Sequence, residues 1–187
     1  MKPGRGTLAG TEKIAGWASL YFDGGCAKKE GTGGYALYSG DGKQFGGEGR
    51  FYGKEVQTNN EAEATALRDA MTFSKNNKHL WEGHPGLVVY GDSELIINFM
   101  RGSMRPSKPL LTKMIKEAKL IGRSLKVGVT YLHVDRELNA VADWLGNEAR
   151  QAKGLVGLEE RAIITTPGMK LHEIRSQIGS ALYQQAG

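Results

Sequence analysis

The chain predicts an α/β fold, a mixed five-stranded sheet with three antiparallel strands followed by two parallel ones, flanked by helices. Three observations carry this. Early in the chain, three apolar runs of strand length are separated only by turn residues, the pattern of an antiparallel meander. A helical stretch then precedes a short, wholly apolar run, Leu87-Val88-Val89-Tyr90-Gly91, the pattern of a buried strand reached by a crossover. A second helical stretch and an alternating strand repeat that crossover.

Taken in order, residues 17–23 read as a strand ending at Asp23. The segment Gly24 to Gly34 holds five glycines and is expected to be a tight loop. Residues 35–39 and 46–52 read as strands joined by the turn Ser39-Gly40-Asp41-Gly42. Residues 59–75 switch to a helical period, and 87–91 form the apolar strand. Helices are expected at 93–101, 108–122 and 139–151, with a strand at 126–133. Residues 1–15 read as an N-terminal extension and 16–151 as the folded domain. Residues 152–168 lose periodicity around Gly154, Gly157, Pro167 and Gly168 and read as a linker. Over 169–187 a stripe returns at Leu171, Ile174, Ile178, Ala181 and Leu182, the signature of a C-terminal amphipathic helix.

The composition sets limits on function. With 187 residues, 40% of them apolar, the chain is long enough for a real core. Lys and Arg number 25 against 20 Asp and Glu, a net charge of +5, which weakly favours a polyanionic partner. The single cysteine, Cys26, excludes an internal disulfide framework and a cysteine-based zinc site. No apolar run is long enough to span a membrane, and residues 1–15 lack the core of a signal peptide. The expectation is an intracellular, cytoplasmic protein with no membrane partner; the oligomeric state stays open, with a monomer favoured.

Four acidic residues stand apart: Asp23 in Leu20-Tyr21-Phe22-Asp23-Gly24-Gly25, Glu63 in Thr58-Asn59-Asn60-Glu61-Ala62-Glu63, Asp92 in Tyr90-Gly91-Asp92-Ser93, and Asp143 in Asn139-Ala140-Val141-Ala142-Asp143. Two end strand-like runs and two sit near helix starts, and an α/β sheet can bring such places to one edge. Carboxylates gathered there repel unless cations neutralise them, and oxygen-rich sites suit Mg²⁺ or Mn²⁺. Glu63 shares the apolar stripe of Leu67, Ala70 and Met71 at helical spacing, so it points inward. Metal coordination and a buried ion pair with Lys or Arg both account for such a residue. Glu61 lies about 200° around the helix and fits a capping box with Thr58.

These four motifs, in this order and spacing, resemble type 1 ribonuclease H, closest to its plant and archaeal branch. The resemblance covers about residues 16–150 and includes Gly31-Thr32-Gly33-Gly34-Tyr35 and His133-Val134-Asp135-Arg136-Glu137-Leu138-Asn139. It implies an endoribonuclease that cuts the RNA strand of an RNA/DNA hybrid, leaving 5′-phosphate and 3′-hydroxyl ends. Asp23, Glu63, Asp92 and Asp143 would hold two Mg²⁺ ions, with Mn²⁺ able to substitute. One ion would activate the attacking water and the other would stabilise the leaving oxygen. His133 falls where many members have a histidine that helps product or proton leave. It directly follows a strand, so structural capping of that strand is the competing reading, and Arg136 is an alternative mobile cation. Gly24, Gly25, Cys26, Asn59 and Asn60 fall at positions that meet the hybrid's minor groove and 2′-hydroxyls. Thr58 falls at a DNA-phosphate position, while Glu94 (where glutamine is usual) and Asn139 fall at further substrate positions.

The stretch between Asp92 and His133 is too short for the extra basic handle of some members. Lys113, Lys116, Lys119 and Arg123 on the 108–122 helix offer a substitute, or an ordinary solvated face. Two alternatives of other kinds stay open: a ribonuclease H domain of a retroelement polyprotein acting in reverse transcription, and a non-catalytic hybrid- or RNA-binding module on the same fold. The opposite facing of Glu63 and Glu61 is testable. Glu63→Gln should abolish hybrid cleavage, whereas Glu61→Gln should leave the rate within about twofold, because glutamine also serves a capping box. Steady-state rates of the two variants check this, and the reverse ranking would overturn it.

Overall fold

A computed structural model describes residues 7–8, 14–158 and 182–184. Its sheet has five central strands: β2 (Ala18–Ala27), β3 (Glu30–Tyr38), β4 (Phe45–Gly53), β5 (Gly86–Gly91) and β6 (Gly128–Val134). Strands β2, β3 and β4 form the antiparallel meander, and β5 and β6 add in parallel on the other side of β2. Three short strands extend the edges. β1 (Thr7–Leu8) pairs parallel with β6, β7 (Val156–Leu158) pairs with β4, and β8 (Leu182–Gln184) pairs with β7. The full order is β1-β6-β5-β2-β3-β4-β7-β8. The expected core sheet is therefore present, widened at both sides.

Helices cover both faces. α1 (Asn59–Asn76), α2 (Glu94–Arg101) and α3 (Pro109–Ser124) lie on one side, and α4 (Ala140–Ala152) lies on the other. Alternation along the strands divides the core between them. Leu20 and Phe22 of β2 pack with Ala66, Leu67 and Met71 of α1, whereas Tyr21 packs with Val141, Trp144 and Leu145 of α4. Tyr21 stacks on Tyr90 with ring centres 4.8 Å apart and meets Tyr38 edge-on at 5.8 Å. Trp144 is 2% exposed and belongs to the core. Among the described residues no helix is long and apolar enough to cross a membrane.

Two expectations require correction. The glycine-rich segment after Asp23 is not a loop. β2 runs on through Ala27, β3 begins at Glu30, and only Lys28 and Lys29 make the turn, both with positive φ (52° and 58°). Gly24 and Gly34 serve helix packing instead. A Cβ on Gly24 would lie 2.3 Å from the Ala62 carbonyl oxygen of α1, and one on Gly34 would lie 2.0 Å from the Ala142 carbonyl oxygen of α4. The second correction concerns the expected linker over 152–168. Within it, Val156-Gly157-Leu158 form a buried strand on β4. Three alternating residues are too few to register as a period, yet they satisfy the open edge of β4. Residues 159–168 lie outside the described residues. So does the expected C-terminal helix, apart from Leu182–Gln184, which are extended.

The packing role of Gly34 is testable. Gly34→Ala should force α4 off β3 and cost about 3 kcal/mol, roughly 6–12 °C in melting temperature. Gly25, where only the Arg150 guanidinium comes within 4 Å of an added Cβ, should accept alanine with a change of no more than about 2 °C. Thermal denaturation of both variants checks the contrast.

Candidate active site

The pairing register builds the site. Phe22 pairs with Gly91 as the last pair of the parallel β2–β5 ladder, so Asp23 and Asp92, the next residues, stand side by side just past its end, where β2 runs on with β3 alone. α1 starts beside this end. Thr58 caps it, accepting the Glu61 N–H at 3.1 Å, while Glu61 Oε1 accepts the Thr58 N–H at 3.1 Å, completing the expected capping box. Glu61 is thus committed to the cap. Glu63, 8% exposed, turns inward, and its Oε2 accepts the Gly24 N–H at 3.1 Å. The carboxylate oxygens of Asp23, Glu63 and Asp92 approach within 4.8 Å of one another. Asp143, in the first turn of α4, stands outside this tight group but adds its charge to Asp23 and Asp92 from the facing wall.

A cleft of about 560 Å³ opens over these groups. Asp23, Gly24, Gly25, Cys26, Asn59, Glu63, Asp92 and Asp143 line it, as do Thr32, Arg136, Gly146, Asn147 and Arg150. Asn59 Oδ1 accepts the Cys26 N–H at 2.9 Å, tying the start of α1 to β2. Cys26 itself is half-buried at the cleft rather than in the core, and its thiol donates to the Gln57 carbonyl at 2.9 Å.

Other expected site residues lie elsewhere. Asn139 is 1% exposed, donating to the Phe22 carbonyl at 2.8 Å and to Asp92 Oδ2 at 3.3 Å. It stands behind Asp92 and holds it. Its Oδ1 is buried with no partner among the described residues. His133 belongs to β6, opposite Gly91, with Nε2 3.1 Å from the Asp92 carbonyl oxygen. Thr58, Asn60 and Glu94 are exposed and do not line the cleft, Glu94 sitting in the first turn of α2. Among the cations of α3, Lys119 and Arg123 line a separate groove with Arg101, Val127 and Val129, near the start of β6 and away from the carboxylates. The cleft-lining residues that sequence reasoning did not single out are Thr32, Gly146, Asn147 and Arg150. Asn147 and Arg150 follow Asp143 at i+4 and i+7, a spacing that places them on one helix face.

The electrostatics are those of like charges packed together. Burial, then the neighbouring charges of Asp92 and Asp143, push the Asp23 carboxyl up from 3.8 to about 8. Glu63 is raised well above its ordinary value by burial and by Asp23 and Asp92. Asp92 is raised by burial, an effect opposed by its hydrogen bond from Asn139 and by the Arg136 charge. None of the four carboxylates forms an ion pair with a Lys or Arg among the described residues, so the buried-ion-pair account of Glu63 does not hold. Clustered, buried oxygens without an ion-pair partner among the described residues fit a divalent cation.

A family model described as reverse transcriptase-like matches residues 21–149. No curated protein matches the chain. Solved structures do. RNase H1 from the halophilic archaeon Halobacterium salinarum NRC-1 is 27% identical, with a TM-score of 0.62 over 73% of this chain and 99% of that one. LC11-RNase H1, isolated from compost by a metagenomic approach, is 26% identical in its complex with an RNA/DNA hybrid, with a TM-score of 0.63 over 73% of this chain and 98% of that one. The N-terminal RNase H domain of rv2228c from Mycobacterium tuberculosis shares the fold at 24% identity, with a TM-score of 0.63 over 72% of this chain and 94% of that one. The chain belongs to the reverse transcriptase-like family, and within it to the type 1 ribonucleases H.

Proposed function

We propose that this protein is a Mg²⁺-dependent endoribonuclease that hydrolyses the RNA strand of RNA/DNA hybrids, leaving 5′-phosphate and 3′-hydroxyl ends. The observation that carries the reading is the Asp23–Glu63–Asp92 cluster, set by the β2–β5 register at the end of that parallel ladder with Asp143 facing it. Its geometry accompanies a likeness to an enzyme solved with a hybrid bound. Asp23, Glu63, Asp92 and Asp143 would hold two ions, and Mn²⁺ would substitute for Mg²⁺ with the same oxygen ligands. When bound, such ions neutralise phosphate charge and lower the pKa of water.

The chain's own groups do the rest. The Gly24 N–H fixes one oxygen of Glu63, and Asn139 fixes one oxygen of Asp92, leaving the other oxygens to face the cleft. At Gly25 the missing side chain bares the strand backbone on the cleft floor. A wide, shallow minor groove with 2′-hydroxyls can settle on such a floor, which is how RNA is told from DNA. Thr58 Oγ1 accepts the Glu61 N–H, so its own proton remains free to donate to a DNA-strand phosphate. Capping and phosphate binding therefore do not compete. His133, bonded to the Asp92 carbonyl, is better placed to steady the Asp92 loop than to shuttle protons from a mobile position. A non-catalytic binder has no use for a self-repelling carboxylate cluster, and this weighs against the binding-module alternative.

Two outcomes are expected. Asp92→Asn should reduce cleavage of a labelled hybrid by at least about 10³-fold with the fold intact by circular dichroism; near-wild-type turnover would refute the assignment. The second concerns stability. A carboxyl whose folded pKa is raised contributes stability below its unfolded pKa and loses it as pH rises through the folded one. For Asp23 that window runs from 3.8 to about 8. Metal-free wild type should therefore lose stability as pH climbs from 4 to about 8. Asp23→Asn should melt roughly 4–8 °C above wild type at pH 8, with a smaller gap at pH 5. Mg²⁺ should raise the melting temperature of wild type more than that of the variant. Equal melting at pH 8 without metal would count against the clustered-charge account.

A further inference from the structure

The cleft has a second end. Its floor runs from Asp23 to Cys26 along β2, and its α4 wall runs from Asp143 to Arg150, each about 10 Å long. Arg150 closes this end. Its Nη2 donates to Thr32 Oγ1 at 2.9 Å and its Nη1 to Asn147 Oδ1 at 3.4 Å. Thr32 is 3% exposed, so the brace is fixed in the sheet. Both partners are neutral. Arg150 forms no ion pair among the described residues, and its Nε is buried without a partner. A guanidinium has five N–H donors in a rigid fork and is always charged. Here that fork is held in place, lines a cleft and lacks an anion.

We propose that Arg150, braced by Thr32 and Asn147, binds a second phosphate of the RNA strand, displaced from the scissile one along α4. The proposal rests on the hybrid-cleaving function above. The strand held at the carboxylates has to continue along the cleft, and the end walled by α4 brings it past this guanidinium. The adjacent Gly25 carries no side chain to block the approach, its Cβ position lying 3.7 Å from Nη2. Planar bidentate recognition of phosphate is what arginine does better than lysine. A purely structural Arg150 would clamp α4 to β3 through Thr32 and do nothing more.

Kinetics and a chemical scan separate the two roles. Arg150→Gln should raise KM about tenfold with kcat within about twofold, and should flatten the log–log salt dependence of hybrid binding by about 0.7–0.9. Arg150→Lys should restore the slope and part of the affinity, because it keeps the charge but loses the fork. Thr32→Val, which removes the brace and keeps the charge, should raise KM by about threefold. In hybrids carrying one neutral methylphosphonate at successive RNA positions, wild type should weaken at one position where Arg150→Gln weakens no further. If Arg150→Gln does not fold, Arg150→Lys carries the scan, and its tighter-binding wild-type contrast should vanish at that same position. An unchanged salt slope with lowered melting temperature would make Arg150 a structural clamp. A matching position in the DNA strand, or penalties additive at every position, would also overturn the proposal. If wild type cleaves hybrid while the Arg150 variants equal it, only this inference fails. If wild type neither binds nor cleaves hybrid, the functional reading fails and takes this one with it.

Discussion

Helix backbone pressed directly onto strand backbone holds the site together. At Gly24 the α1 chain, and at Gly34 and Gly49 the α4 chain, come so close that a Cβ would fall within 2.0–2.3 Å of a helix carbonyl oxygen. Helices normally stand off a sheet by the thickness of interleaved side chains. Here the starts of α1 and α4 are drawn down onto the end of the meander, bringing Glu63 and Asp143 within range of Asp23. Glycine in a strand costs about 0.5–1 kcal/mol per position in chain entropy. The wholly buried aromatics on neighbouring positions, Phe22, Tyr35, Tyr38 and Tyr90, offset this through large apolar burial.

That packing forces together groups that would otherwise separate. Burial and mutual repulsion both favour the protonated carboxyls, so the fold works against the charge state its site requires. Local bonds hold the geometry against this repulsion. The Gly24 N–H grips Glu63, Asn139 grips Asp92, and the capping box keeps Glu61 from competing. Asn139 reaches both Asp92 and the Phe22 carbonyl with one amide, at the cost of a buried Oδ1 without a donor among the described residues, on the order of 1–3 kcal/mol. Such a penalty is tolerated when one side chain fixes the ends of two adjacent strands.

The acidic cluster and most of the sheet were legible in the sequence, because both depend on local signals. The strand end at Asp92, the inward face of Glu63 and the Thr58–Glu61 cap follow from period and spacing, whereas the strand carrying Asp23 runs four residues past it. What could not be read depends on contacts between distant segments. The glycines after Asp23 looked like a turn because glycine carries no mark of whether its missing side chain serves a turn or a passing helix. Val156–Leu158 looked like linker because its pairing belongs to the edge of β4, a hundred residues earlier in the chain. Asn139 sat in a substrate-facing motif, yet its reach to the Phe22 carbonyl, 117 positions away, withdraws it from the cleft. Arg150 lay beyond the last recognised motif, and its brace on Thr32 spans 118 positions.

Net charge is a poor guide to where a polyanion would lie on this molecule. The chain carries +5, but two of the cations on α3, Lys119 and Arg123, line a groove near the start of β6, at the opposite end of that strand from the carboxylates. At physiological ionic strength, exposed charges act over about 8–10 Å. Cations farther than that from the cleft contribute attraction in solution but not register. Position along the cleft is set by groups inside it: anionic oxygens at the Asp23 end, backbone bared by glycine in the middle, and one braced guanidinium at the far end. A phosphate chain can follow this sequence of charges only if its scissile phosphate reaches the carboxylates with cations between them. The metal requirement and the spacing of the bound phosphates are thus two consequences of a single charge arrangement.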